Sequence, residues 1–246
     1  MAWIRVAIVA AFGALATASA VPAQADGAKA VIELFTSQGC SSCPAADRLL
    51  ADYAGRNDVL ALSYNVDYWD YLGWKDTLAS HDFSQRQRDY SAARGDGDVY
   101  TPQAIIDGRN HVPGSLRGDI EGAIAANQGG LSVPIDMTVH GDAVTVNVGA
   151  SPSDVPHATL WLVMYDRAVT VPIGRGENSG KTITYTNVVR KMRPIAMWTG
   201  AAMSVDLAKS EMEHAKADSC AVLLQTESKD GLPGPILGAA TVRAGL

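Results

Sequence analysis

Val31-Ile32-Glu33-Leu34-Phe35-Thr36-Ser37-Gln38-Gly39-Cys40-Ser41-Ser42-Cys43-Pro44 runs from a short apolar strand, through a polar bend, to two thiols three positions apart. A helix follows at once. Ala46, Leu49, Leu50 and Tyr53 fall at i, i+3, i+4 and i+7 on one face, Gly55 supplies the stop, and Pro44 is acceptable in a first helical turn. Residues 59–64 make a second apolar strand. Pro102 introduces a third at Gln103-Ala104-Ile105-Ile106-Asp107, Gly108-Arg109 turns, and a short strand near His111 and Val112 precedes a helix whose Leu116, Ile120, Ala123 and Ile124 share a face. This order predicts an α/β sheet covered by helices.

The chemistry expected of this stretch lies in its thiols. Cys40 sits at a helix N-terminus, where unpaired N–H groups and the helix dipole favour negative charge, so its thiolate should form more readily than that of a free cysteine with pKa ~8.5. Cys40 is therefore the expected nucleophile. Cys43, one turn later and buried, suits a resolving thiol that displaces a mixed disulfide. A bridge across so short a loop stabilises a fold by only about 2 kcal/mol on the chain-entropy model, which weakly motivates a purely structural staple.

Strand, loop, CxxC at a helix start, second strand, and then Thr101-Pro102 before a third strand resemble the thioredoxin fold. The resemblance implies a cis Pro102 facing the two sulfurs and Thr101 offering backbone polar groups to an extended thiol substrate. It also implies that Glu33 is a buried carboxylate beneath Cys43, ready to take its proton; an edge-strand carboxylate facing solvent is the competing reading. The longer strings, Val31 to Pro44, Val66-Asp67-Tyr68-Trp69-Asp70-Tyr71-Leu72-Gly73-Trp74-Lys75, Tyr100-Thr101-Pro102-Gln103, Asn187-Val188-Val189-Arg190 and Gly234-Pro235-Ile236-Leu237-Gly238-Ala239-Ala240, are similar to a family of bacterial secreted proteins classed as a domain of unknown function. The dipeptide Ser41-Ser42 departs from the Pro and His of better-known redox motifs, so the direction of electron flow is not set by it.

Outward from this stretch, 246 residues with 47% hydrophobic and 19% charged content need a hydrophobic core, since three cysteines are too few for a disulfide framework. A net charge of −6 argues against nucleic-acid partners. Residues 1–25 combine Arg5, an apolar run and small-residue cleavage patterns, the pattern of a secretory signal peptide, with no later run of spanning length to hold the chain in a membrane after cleavage. The expected location is periplasmic or secreted, where thiols are read first as disulfides or redox groups. Gln128-Gly129-Gly130 marks an expected boundary between a thioredoxin-like domain at 26–130, with a helical and aromatic insertion, and an all-β sandwich-like domain at 131–246. In the latter, Ile135, Met137 and Val139 alternate into a Gly141-Asp142 turn and back through Val144, Val146 and Val148, and further strands are expected at 160–165, 182–190, 203–207, 219–225 and 235–242.

Tyr68, Trp69, Tyr71 and Trp74 crowd one loop near the expected site, either as an aromatic platform for substrate or as the local core of an insertion. Cys220, inside an apolar strand, reads as an inert buried thiol. The five histidines are scattered and offer no zinc set, while copper(I) on two thiolates, with Met192, Met197 or Met203, is a weaker reading; no cofactor is expected. The leading expectation is thus a secreted thiol–disulfide oxidoreductase or redox-linked protein acting on a protein or small-molecule thiol or disulfide. Its rivals are a binding or scaffold protein with a fixed Cys40–Cys43 bridge, and a thiolate copper(I) carrier.

Overall fold

Every residue of β1 (Ala30–Thr36) is buried, because strands flank it on both edges and other layers cover both of its faces. Such a strand reads as a continuous apolar run rather than an alternation. A computed structural model describes residues 28–151 and 157–242; the expected signal peptide lies outside them. From β1 the chain passes through α1 (Cys43–Ala54) to β2 (Val59–Asn65), which pairs parallel to β1. A single 3-10 turn (Asp70–Leu72) and α2 (His81–Arg94) follow, then β3 (Gln103–Ile106) antiparallel to β1, β4 (Asn110–Pro113) and α3 (Arg117–Ala126).

The remaining strands are β5 (Ile135–His140), β6 (Ala143–Val148), β7 (Ala158–Pro172), β8 (Thr182–Trp198), β9 (Met203–Ala208), β10 (Ser219–Glu227) and β11 (Pro233–Thr241), with a short α4 (Ser210–Ala215) before β10. Here the expected fold class is overturned. The chain is not an α/β thioredoxin-like domain followed by an all-β sandwich-like domain, because one mixed eight-stranded sheet runs β11-β10-β7-β8-β2-β1-β3-β4 through both halves. The joint is β8 beside β2, with Ser63 opposite Val188. Strands of 15 and 17 residues, β7 and β8, carry the sheet across and extend beyond it as a long hairpin. Among the described residues, β5, β6 and β9 form a separate three-stranded sheet.

Side-chain alternation sorts the core into layers. Ile32, Leu34, Ala61, Ala104 and Ile106 point to α1 and α3, where they meet Ala46, Leu49, Leu50, Tyr53 and Ile120. Val31, Phe35, Leu62 and Tyr64 point the other way, to Phe83 and Tyr90 of α2 and to Leu223 and Ile236 from the far end of the chain. The small sheet packs Val144, Val146 and Val148 onto Leu160, Leu162, Val222 and Leu224. Each fully buried large apolar side chain contributes roughly 1.5–3 kcal/mol, so these layers, and not the short disulfide loop, hold the molecule together.

Candidate functional site

Cys40 and Cys43 form a disulfide where α1 begins, with Cα atoms 5.4 Å apart. Both are covered, at 1% and 0% exposure. The bend before them is tied down: Cys40 N–H donates to Ser37 O (3.2 Å) and Cys43 N–H to Cys40 O (3.3 Å). Gly39 has no room for a side chain, since a Cβ there would lie 2.9 Å from Cβ of Trp69. Trp69 in turn donates its indole N–H to Thr101 Oγ1 at 2.7 Å, so it links the cysteine bend to the Thr101–Pro102 peptide, which is cis. A Cβ at Gly114 would touch both Pro102 and Ala46, which places Pro102 against the α1 side of the sheet. Cys40, Cys43, Thr101, Pro102 and Trp69 are therefore brought together.

The other expected residues lie less centrally. Tyr68 donates to Gln87 Oε1 (3.1 Å) and stands beside Trp69 with ring centroids 6.3 Å apart, while Tyr71 is 79% exposed. Trp74 donates to Gln38 Oε1 at 2.8 Å. Much of this aromatic loop is thus pinned core, and Tyr71 alone of the four is strongly exposed. Glu33 is fully buried but belongs to the face that looks toward α2, away from α1. Its carboxylate is held by Arg86 Nε at 2.8 Å and by the Tyr90 hydroxyl. Met192 packs in the α2-side layer, Met203 begins β9 of the small sheet, and Met197 stands 67% exposed on β8, so these methionines belong to other surroundings than the cysteine pair. Cys220 is buried in β10, and burial pushes its thiol up to about 12.

Asp47 escaped the sequence reading. It lies four residues after Cys43 on α1, a spacing that puts the two on one helix face with Cβ atoms about 5–6 Å apart. Its Oδ1 accepts from Thr36 Oγ1 at 2.7 Å, and its Oδ2 has no partner among the described residues. Burial pushes its pKa up to about 7, against the opposing bond from Thr36 and helped by the charge of Asp76. Asp76 is also buried, accepting from Gln38 N (2.8 Å), Asn65 Nδ2 (3.0 Å) and Leu78 N (2.8 Å), and burial raises it too. Tyr185 of β8 feels both carboxylates, and its hydroxyl is likewise unpartnered among the described residues. The signal in the sequence was an acid interrupting the apolar stripe of α1 one turn past Cys43.

A separate cluster, Asp96, Asp98 and His111, brings one ligand atom each within 4.8 Å of one another. Arg94 binds both Asp96 oxygens, at 2.6 and 3.2 Å, which makes this an exposed ion-pair group.

Residues 31–225 match the family described as "Protein of unknown function (DUF1223)". The crystal structure of protein AGR_C_4864 from Agrobacterium tumefaciens superposes with a TM-score of 0.80 at 40% identity, covering 88% of this chain and 95% of that one. HBP35 of Porphyromonas gingivalis gives a TM-score of 0.59 at 8% identity over 88% of this chain and 75% of that one, a likeness of fold alone. No curated protein matches the chain.

Proposed function

The chain belongs to the DUF1223 family of proteins of unknown function, carries a Cys40–Cys43 disulfide, and, we propose, is a thiol–disulfide oxidoreductase. The observation that carries this reading is the grouping of the disulfide with the Thr101–Pro102 peptide and with Asp47, whose Oδ2, without a partner among the described residues, and pKa pushed up to about 7 suit a group that takes and returns a proton. In the reduced protein the Cys40 thiolate attacks a substrate disulfide, forming a mixed disulfide and releasing one substrate thiolate. Cys43 then attacks the Cys40 sulfur as Asp47 accepts its proton, and the second substrate thiolate leaves. Two electrons pass to the substrate and the Cys40–Cys43 bond is restored. The proton-acceptor role that sequence suggested for Glu33 passes to Asp47, since Glu33 is already paired with Arg86 on the opposite face. The substrate is a protein or small-molecule thiol or disulfide, and the setting is an oxidising compartment, periplasmic or secreted, as residues 1–25 suggest. No helix among the described residues is long and apolar enough to cross a membrane.

Burial of both sulfurs favours a second reading, a fixed structural bridge in a binding or scaffold protein. One experiment separates the two. The protein lacking residues 1–25 is equilibrated in glutathione buffers and trapped with an alkylating reagent for mass spectrometry, alongside a Cys43→Ser variant. A reversible two-thiol couple, with a mixed disulfide accumulating on Cys40 in the variant, is the expected result; a bridge that stays oxidised across the series supports the fixed disulfide instead.

A further inference from the structure

Residues 173–181 turn the chain from β7 into β8, and this tip folds back on itself rather than hanging free. Ile173 N–H donates to Lys181 O (2.9 Å), Gly180 N–H to Ile173 O (2.8 Å) and Ser179 N–H to Gly176 O (3.1 Å). Gly176 and Gly180 take the positive φ values, 77° and 81°, that such a tight turn requires. The tip rests on Trp74: Cβ atoms at Gly174 and Gly176 would lie 3.2 and 3.3 Å from it. Trp74 and the tip both hold Gln38, one through the side chain and one through the backbone.

Asn178 and Glu177 reach from this tip onto the cysteine bend. Asn178 is fully buried, and its amide nitrogen donates to Gln38 O at 2.9 Å and to Cys40 O at 2.8 Å. Its oxygen accepts from Lys181 Nζ at 2.8 Å, which fixes the orientation of the amide. Glu177 is exposed, yet its Oε2 accepts from Ser41 N–H at 3.2 Å. That N–H directly follows Cys40. The charged groups shown around the bend are then Glu177, Lys181 through Asn178, Asp76 through Gln38 N–H, and Asp47 one helical turn past Cys43.

The geometry points to a regulatory role for the β7–β8 tip: Asn178 positions the Cys40 backbone, and the Glu177 carboxylate occupies an N–H beside the nucleophile, disfavouring the thiolate and so favouring the disulfide. This rests on the redox reading above. A negative charge near a developing thiolate raises the free energy of the reduced, ionised protein more than that of the uncharged disulfide. The exchange is balanced: two glutathione thiols lose two protons and two electrons to become glutathione disulfide, while the Cys40–Cys43 bond accepts both and becomes two thiols. Removing the carboxylate shifts this equilibrium toward the dithiol. Because Glu177 is exposed, the effect is modest and screened by salt.

The test compares wild type, Glu177→Gln and Glu177→Lys, in glutathione buffers at low and at high salt, with the alkylation rate of Cys40 in the reduced forms as a second readout. At low salt Glu177→Gln is expected to move the equilibrium toward the dithiol by about threefold and to speed alkylation by a similar factor. Glu177→Lys moves both further, and high salt brings the three proteins together. An Asn178→Ala variant, which removes the amide donor to Cys40 O, should change the alkylation rate of Cys40, and an unchanged rate overturns the positioning role of Asn178. A wild type that exchanges reversibly while Glu177→Gln matches it at low salt overturns the role of Glu177 and leaves the redox reading standing. A wild type that never equilibrates with glutathione overturns the redox reading, and this inference with it.

Discussion

Burial that pushes its carboxyl up to about 7, from about 3.9 in an ordinary aspartate, makes Asp47 a stability determinant as well as a proton carrier. Between those values the folded state keeps a proton that the unfolded chain has lost. Stability therefore falls as pH rises from about 4 to about 7, by at most ~4 kcal/mol at about 1.4 kcal/mol per unit. Burial raises Asp76 and Asp107 in the same direction, so Asp47→Asn should flatten this decline without abolishing it. Urea unfolding of the oxidised protein at pH 4 and pH 8 measures it. An unchanged slope in the variant would mean that the Asp47 carboxyl is already ionised well below pH 7, and its proposed role would go with it. Asp47 was legible only in hindsight. Helical periodicity put it inside the apolar stripe with Ala46 and Leu50, but an acid at that position reads as a surface residue until it is known to be buried, within electrostatic reach of Tyr185 of β8 and of Asp76.

Helix α2 poses the same question at the scale of an element. Its ends are well marked, by Ser80 capping Asp82 N–H and by Gly95 at a φ of 72°, but its middle is polar. What attaches it is a buried network. Arg86 binds Glu33 and gives Nη2 to the Tyr90 hydroxyl and to Gln225 Oε1, each at 2.9 Å, while Gln225 Nε2 donates to the Tyr90 hydroxyl at 2.8 Å. Removing one partner of a buried pair strands the other charge. Arg86→Met is expected to cost about 3–5 kcal/mol in urea unfolding, and the double variant Arg86→Met with Glu33→Gln to recover a large part of it. Asp47→Asn is expected to slow resolution of the mixed disulfide by Cys43, whereas Glu33→Gln and the double variant should not, because the network lies across the sheet from α1. A slowing on Glu33→Gln comparable to that of Asp47→Asn would return the proton-acceptor role to Glu33. Sequence placed Glu33 correctly in a buried strand but could not choose its face: β1 is apolar on both sides, so the alternation that normally separates core from solvent carried no information.

Across the whole molecule, the strands were more legible than their partners. Residues 160–165 and 182–190 announce strands by composition, yet nothing local to them says that β8 will lie beside β2 instead of within a second sheet, because strand pairing is a long-range choice. That joint is built from few but specific contacts. Asn187, with a φ of 48°, donates from its side chain to Ala61 O at 2.8 Å, and away from the joint a second tie crosses between the halves, where Ile236 N–H of β11 reaches Asp107 O at 2.9 Å. Val31, Phe35 and Leu62 from the first half share one layer with Val163, Leu223 and Ile236 from the second. A shared layer couples the stability of its two sides, since opening either exposes apolar surface of the other. The intact chain is therefore expected to unfold in urea in a single transition. Fluorescence of Trp69, Trp74, Trp161 and Trp198, which samples both halves, should coincide with far-UV circular dichroism. Residues 26–130 expressed alone, stripped of β7, β8, β10 and β11, should leave the α2-side layer uncovered and fail to give a cooperative transition. Two resolved transitions in the intact chain, or a cooperatively folding 26–130 fragment, would show that the continuous sheet joins two units that are stable on their own.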